Sequence, residues 1–187
     1  YASIAASRVT NTVAETVTKI EGLIVLSHTI SSKSLAALNI PIVSIEREDQ
    51  YICSVNTDNY MGGVQAAGLL ASHNCDVLIH INSPTGKELP TYGRIQGFLD
   101  ICEEQHLKHQ VLIRDLKTDY ESTQAQLEKI IDDLDRDYAG QKKGIFISND
   151  THANIFLNLL FRKHKVFPED YLIVGFDNSP ISREAII

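Results

Sequence analysis

Gly144-Ile145-Phe146-Ile147-Ser148-Asn149-Asp150 is an apolar run that stops on two polar residues, and Tyr171-Leu172-Ile173-Val174-Gly175-Phe176-Asp177-Asn178 repeats the pattern. Between them, residues 151–165 read as a helix and Val166-Phe167-Pro168-Glu169-Asp170 as a polar break. Two buried strands joined by a helix form a right-handed parallel unit. Ligands of such units sit beyond the carboxyl ends of the strands. Each strand here ends on a side chain able to hydrogen-bond a polar ligand, Asn149 and Asp177.

Working outward, the pattern predicts four strands, 77–81, 111–113, 145–148 and 172–176, alternating with helices over 91–105, 119–135 and 151–165. A helix from Asp58 onward precedes them, with Val64, Ala67, Leu70 and Ala71 on one face. Gly62, Gly63 and Gly68 lower its intrinsic propensity, so small residues there predict close packing against a neighbour. Such alternation argues for an α/β fold, a parallel sheet with helices on both faces. Upstream, Ile4, Val9, Val13, Val17 and Ile20 mark an amphipathic helix. A strand over 23–26 follows, with Ser27-His28-Thr29 at its carboxyl end. Ser31 and Ser32 can cap a short helix through Leu38, and further strands are expected over 41–45 and 51–55. Two strands and a departing third are too few for an independent sheet. The expected organisation is therefore two lobes, 1–55 as part of an amino-terminal lobe and 56–187 as the carboxyl-terminal one.

The 187 residues carry 17 basic and 24 acidic side chains, a formal charge of −7. That balance is poor for gripping a phosphate backbone, so DNA contact is expected only from sequence outside this chain. Three cysteines without paired spacing favour reduced thiols in a cytoplasmic protein over a disulfide scaffold. No stretch has the roughly 20 apolar residues of a membrane span.

The strand ends collect Ser27, Glu46, Arg47, Asn82, Arg94, Tyr120, Asn149, Asp150, Asp177 and Asn178 into a polar rim. Carboxylates, amides and a guanidinium suit a polyol, and an aromatic face packs the C–H side of a sugar. Each has a plainer reading. Asn149 and Asp150 are ordinary helix N-caps, and Asp177 can be turn chemistry before Pro180. Arg94 can be a solvated surface cation, and Tyr120 a staple over the next helix. Enzyme signatures fail: Thr85-Gly86-Lys87-Glu88 lacks the phosphate-loop Ser/Thr, and no nucleophile elbow exists. His73, Cys75 and His80 cannot share one side of a strand, so neither metal nor cofactor is expected, nor catalysis.

Together the motifs resemble lactose-repressor-type transcription regulators. Ser54-Val55-Asn56-Thr57-Asp58-Asn59-Tyr60-Met61-Gly62-Gly63 is similar to their crossover segment, and Arg94-Ile95-Gln96-Gly97-Phe98 to their effector-loop helix. Ser148-Asn149-Asp150 and the Pro168-to-Asp177 segment resemble two of their strand ends, and Ile40-to-Arg47 is similar too, with Glu46 where Asp is usual. The resemblance implies a two-lobed periplasmic-binding-protein-like fold, its amino lobe incomplete here, with a sugar or sugar phosphate between the lobes. Arg94, Asn149 and Asp177 fall on hydroxyl- or base-binding positions of the family, Tyr120 on its aromatic stacking position, and Ser27 joins them at a strand end. A homodimer and an operator-reading domain outside this chain are implied as well. An exported sugar-binding protein of a transport system shares the fold and is the alternative.

Overall fold

The computed structural model describes residues 20–26, 30–47, 49–87, 89–116 and 119–183. The helix expected over 4–20 therefore falls almost wholly outside the described residues. Two compact units emerge. The first ends at Asp58 and takes in Lys87–Pro90; the second comprises Asn59–Gly86 and Thr91 onward.

In the first unit, β1 (Leu23–Leu26), β2 (Ile42–Ile45) and β3 (Cys53–Val55) form a parallel sheet in that order. A short helix α1 (Ser32–Ala36) joins β1 to β2. Leu23 pairs with Ile42 and Val25 with Ser44, so period-two alternation sends these four to one face and Ile24, Leu26, Val43 and Ile45 to the other. Leu35, Ile42 and Ser44 are buried, whereas Ile24 and Leu26 are open. Glu46, just past β2, accepts from both the backbone N–H and the hydroxyl of Thr57.

The second unit is built on β4 (Val77–Asn82), β5 (His109–Ile113), β6 (Lys143–Ile147) and β7 (Tyr171–Val174), all parallel in the order β5-β4-β6-β7. Its helices are α2 (Asn59–Ser72), α3 (Gly93–Glu104), α4 (Tyr120–Asp137), α5 (Asp150–Arg162) and the short α6 (Pro180–Arg183). The order reverses direction between β4 and β6, which places a crevice at their carboxyl ends. Alternation along the strands separates two cores. Val77, Ile79, Ile81, Ile145 and Ile147 pack with α4 and α5, while Leu78 and Phe146 pack with α2 and α3. The sheet is thus covered on both faces, and its inner strands β4 and β6 are buried at every position. This is the expected α/β architecture.

The glycines of α2 answer to that packing. A Cβ on Gly63 would run into the backbone carbonyl of Arg94, and one on Gly97 into the carbonyl of Tyr60. The helices α2 and α3 therefore meet backbone to backbone. Gly68, on the same helix, has nothing within 4 Å of such a Cβ. Gly68→Ala is expected to stabilise the protein by about 0.5–1 kcal/mol through helix propensity alone, read from urea unfolding midpoints. A loss of stability there would mean the α2 face is covered.

Candidate functional site

The carboxyl edge of the second unit's sheet is braced by Arg94, in the first turn of α3. Its side chain is 11% exposed. Nε donates to Asn59 Oδ1 at 2.7 Å and Nη1 donates to the carbonyl oxygen of Ser148. Nη2 lies 3.7 Å from Asp177 Oδ1, and the guanidinium sits 3.7 Å over the centroid of Phe176. One planar fork thus joins the start of α2, the end of β6 and the loop after β7. A point cation could not satisfy all of these directions at once. The solvated-arginine reading is excluded.

Chain packing explains the placement. Gly63 lets the Arg94 backbone approach α2, which brings Asn59, itself buried, into reach of Nε. A Cβ on Gly62 would collide with the Phe176 ring, so the bare backbone there makes room for the ring that carries the guanidinium.

Asn149 is the N-cap of α5; its Oδ1 accepts from the N–H of His152 at 2.8 Å. Its Nδ2 donates to His152 Nδ1 at 2.9 Å, which requires that nitrogen to be unprotonated. The amide keeps a second N–H and a second lone pair for a ligand. Asp150, the other capping candidate, does not cap. It is buried and accepts from the backbone N–H of Ser179 at 2.7 Å, and a Cβ on Gly175 would meet its Oδ1 at 2.5 Å. Asp150 therefore shapes the 175–179 loop from beneath.

That loop holds Asp177 at φ +97° and Asn178 at φ +50°. Left-handed backbone at a non-glycine residue is strained and persists where its surroundings impose it. The conformation keeps the Asp177 carboxylate beside Arg94 while leaving its side chain 46% exposed. Exposure makes the ion pair a weak source of stability and a ready hydrogen-bonding group for a ligand.

The structure thus brings Arg94 and Asp177 together and places Asn149 one residue from the Ser148 carbonyl that Arg94 holds. Tyr120 is the first residue of α4, 58% exposed, and makes no hydrogen bond or ring contact with these three. The cap of α4 is Asp119, whose Oδ1 accepts from the N–H of Ser122 at 2.8 Å. Ser27 lies outside the described residues. Asn59 and Phe176, inside segments 54–63 and 168–177, join the site through contacts with Arg94 that the sequence does not reveal. Among the described residues no three His, Cys, Asp or Glu side chains converge on a metal-sized point. No described helix is long and apolar enough to cross a membrane.

Behind Arg94, His80 is fully buried in mid-strand, stacked on Phe146 with ring centroids 4.3 Å apart. Nδ1 donates to the Phe146 carbonyl at 3.1 Å, which in the neutral ring leaves Nε2 as an acceptor. Burial, with Arg94 nearby, pushes its pKa down to about 4, opposed in part by that hydrogen bond. Above pH 6.5 this has no effect on stability. Below it the unfolded chain takes up a proton that the folded chain refuses, so stability falls as pH drops towards 4. Between pH 7.5 and 5 the wild type is expected to lose about 2 kcal/mol relative to His80→Leu, measured by urea unfolding. Parallel pH profiles for the two proteins would refute this.

In doubly wound parallel sheets, ligands bind in the crevice at an edge of this kind, where the strand order reverses. A periplasmic binding protein-like domain model matches residues 67–186. The chain belongs to that family. A ribose operon repressor of Halalkalibacterium halodurans is 30% identical over 167 residues, 87% of this chain and 47% of that protein. A sucrose operon repressor of Streptococcus mutans is 25% identical over 163 residues, 86% of this chain and 48% of that protein. A solved periplasmic binding protein/LacI transcriptional regulator from Alkaliphilus metalliredigens, complexed with D-xylulofuranose, has a TM-score of 0.71 and 26% identity. That match covers 94% of this chain and 64% of the other. The chain spans about half the length of the curated relatives it matches.

Proposed function

We propose that this chain is the effector-binding core of a bacterial transcription regulator, with a sugar or sugar phosphate bound at the carboxyl edge of the second unit. The Arg94 brace carries the reading. It presents a guanidinium, the Asp177 carboxylate and the Asn149 amide along one edge, a set that can pair with adjacent hydroxyls. Tyr120 would contribute its ring face to the sugar. Two relatives named for ribose and sucrose operons, and a solved relative holding a pentulose, support a sugar over other polar ligands. The repressor names also favour a regulator over an exported binding protein.

In this reading the chain performs no catalysis. It works in the cytoplasm as part of a homodimer and acts on operator DNA through a domain outside these 187 residues. The ligand shifts a conformational equilibrium that the DNA-reading part shares, so sugar and DNA affinities are coupled. The test is fluorescence anisotropy of the full-length protein on the DNA upstream of its own gene, with D-ribose, D-xylulose and sucrose added in turn. A sugar that binds should change DNA affinity about 5- to 150-fold. Sugar binding that leaves DNA affinity untouched would sink the regulator reading.

A further inference from the structure

The edge site has a floor, and the floor contains a donor that the fold does not use. Asn82 is the last residue of β4, in the strand pair where the sheet order reverses. Its backbone is fixed: its carbonyl accepts from the Arg114 N–H at 2.9 Å, and the preceding Ile81 carbonyl accepts from Ser148 at 3.1 Å. By strand alternation its side chain shares a face with Leu78 and His80, the face covered by α2 and α3. That is the side from which Arg94 and Asn59 reach the edge. Asn82 is 6% exposed, and its Nδ2 has no hydrogen-bond partner. His80 Nε2, two residues back on the same face, is an acceptor without a donor, yet the two do not bond.

A buried amide donor without an acceptor is a net cost to folding, and a leucine would serve the core better. Polar groups that break the packing rule in this way gather at functional sites. We propose that Asn82 is a specificity-determining residue of the edge site, donating its Nδ2–H to an oxygen of the bound sugar from below. A sugar lacking oxygen at that position leaves the donor unpaired and is rejected. Arg94, Asn149 and Asp177 hold the ligand's rim, and Asn82 reads one oxygen on its inner side. The inference rests on the sugar-binding reading above.

The test is thermal unfolding of the full-length protein, wild type, Asn82→Leu and Asn82→Asp, alone and with D-ribose, D-xylulose or sucrose. Asn82→Leu keeps the branching of the side chain and removes the polar group; Asn82→Asp keeps the shape and removes the donor. Without sugar, Asn82→Leu should unfold at the wild-type temperature or above it. With the sugar that stabilises wild type, both variants should bind at least tenfold more weakly. Deoxy forms of that sugar should show one position at which wild type discriminates and Asn82→Leu does not. Two results would overturn the inference. One is a lowered unfolding temperature for sugar-free Asn82→Leu, which would make the amide part of an internal structural network. The other is sugar affinity within twofold of wild type in both variants. If no sugar stabilises the wild type, the sugar reading itself fails and takes this one with it. The sugar-free comparison then still shows whether the amide is structural.

Discussion

Arg94→Ala is expected to weaken sugar binding by about 3 kcal/mol, more than 100-fold, and to destabilise the sugar-free protein by about 2 kcal/mol. The two losses have separate origins. Stability falls because the buried Asn59 amide loses its 2.7 Å donor and the Ser148 carbonyl loses another. Affinity falls because, in the proposed site, the guanidinium that orders the edge is also a ligand group. Arg94→Lys should recover little of either, since an ammonium cannot reach Asn59 and Ser148 together while lying flat on Phe176. Calorimetric titration with the active sugar reads the first loss and urea unfolding the second. An Arg94→Ala protein as stable as wild type would show that the fork is no brace.

Gly63→Ala and Gly97→Ala are each expected to cost about 3 kcal/mol, at the upper end for overpacking, because the added methyl meets backbone rather than a movable side chain. Gly63 carries a further consequence. Its neighbour across the interface is Arg94 itself, so separating α2 from α3 pulls Asn59 and Arg94 apart. Sugar affinity should fall with stability in Gly63→Ala, measured by the same two methods. If both alanine variants unfold with wild-type midpoints, the helices do not meet as closely as the structure has them.

Much of this was legible in the sequence because it rests on period and punctuation. The runs at 145–147 and 172–176 are apolar at every position, as the inner strand β6, buried throughout, requires, and a polar residue follows each. The small residues of α2 announced a close neighbour without saying which; only the structure identifies it as the turn of α3 that carries Arg94. Capping was half legible. Asn149 and Asp150 are both good N-caps by type, and the choice turned on burial. Asp150 faces inward and is taken by the Ser179 N–H, which leaves Asn149 to cap. Asn59 and Phe176 could not be assigned roles beforehand, because their parts in the site depend on a partner 35 residues away in one case and on a ring–guanidinium stack in the other. Asn82 is legible in the sequence only as one member of the strand-end rim and His80 only as a rejected metal ligand, since whether a buried atom is paired is a property of three-dimensional neighbours. Tyr120 shows the opposite limit: its position is as expected, but the sugar-stacking role given to it depends on a ligand.

Asp177→Asn tests most directly whether the Asp177 edge holds the effector. Asparagine tolerates the left-handed backbone that Asp177 adopts, so the loop should keep its shape. The carboxylate is half exposed, so stability should barely change. Calorimetric titration of the full-length variant with the sugar that binds wild type should show affinity reduced by about 100-fold or more, with an unchanged unfolding midpoint. Wild-type affinity in Asp177→Asn would contradict the account and move the ligand elsewhere on the protein.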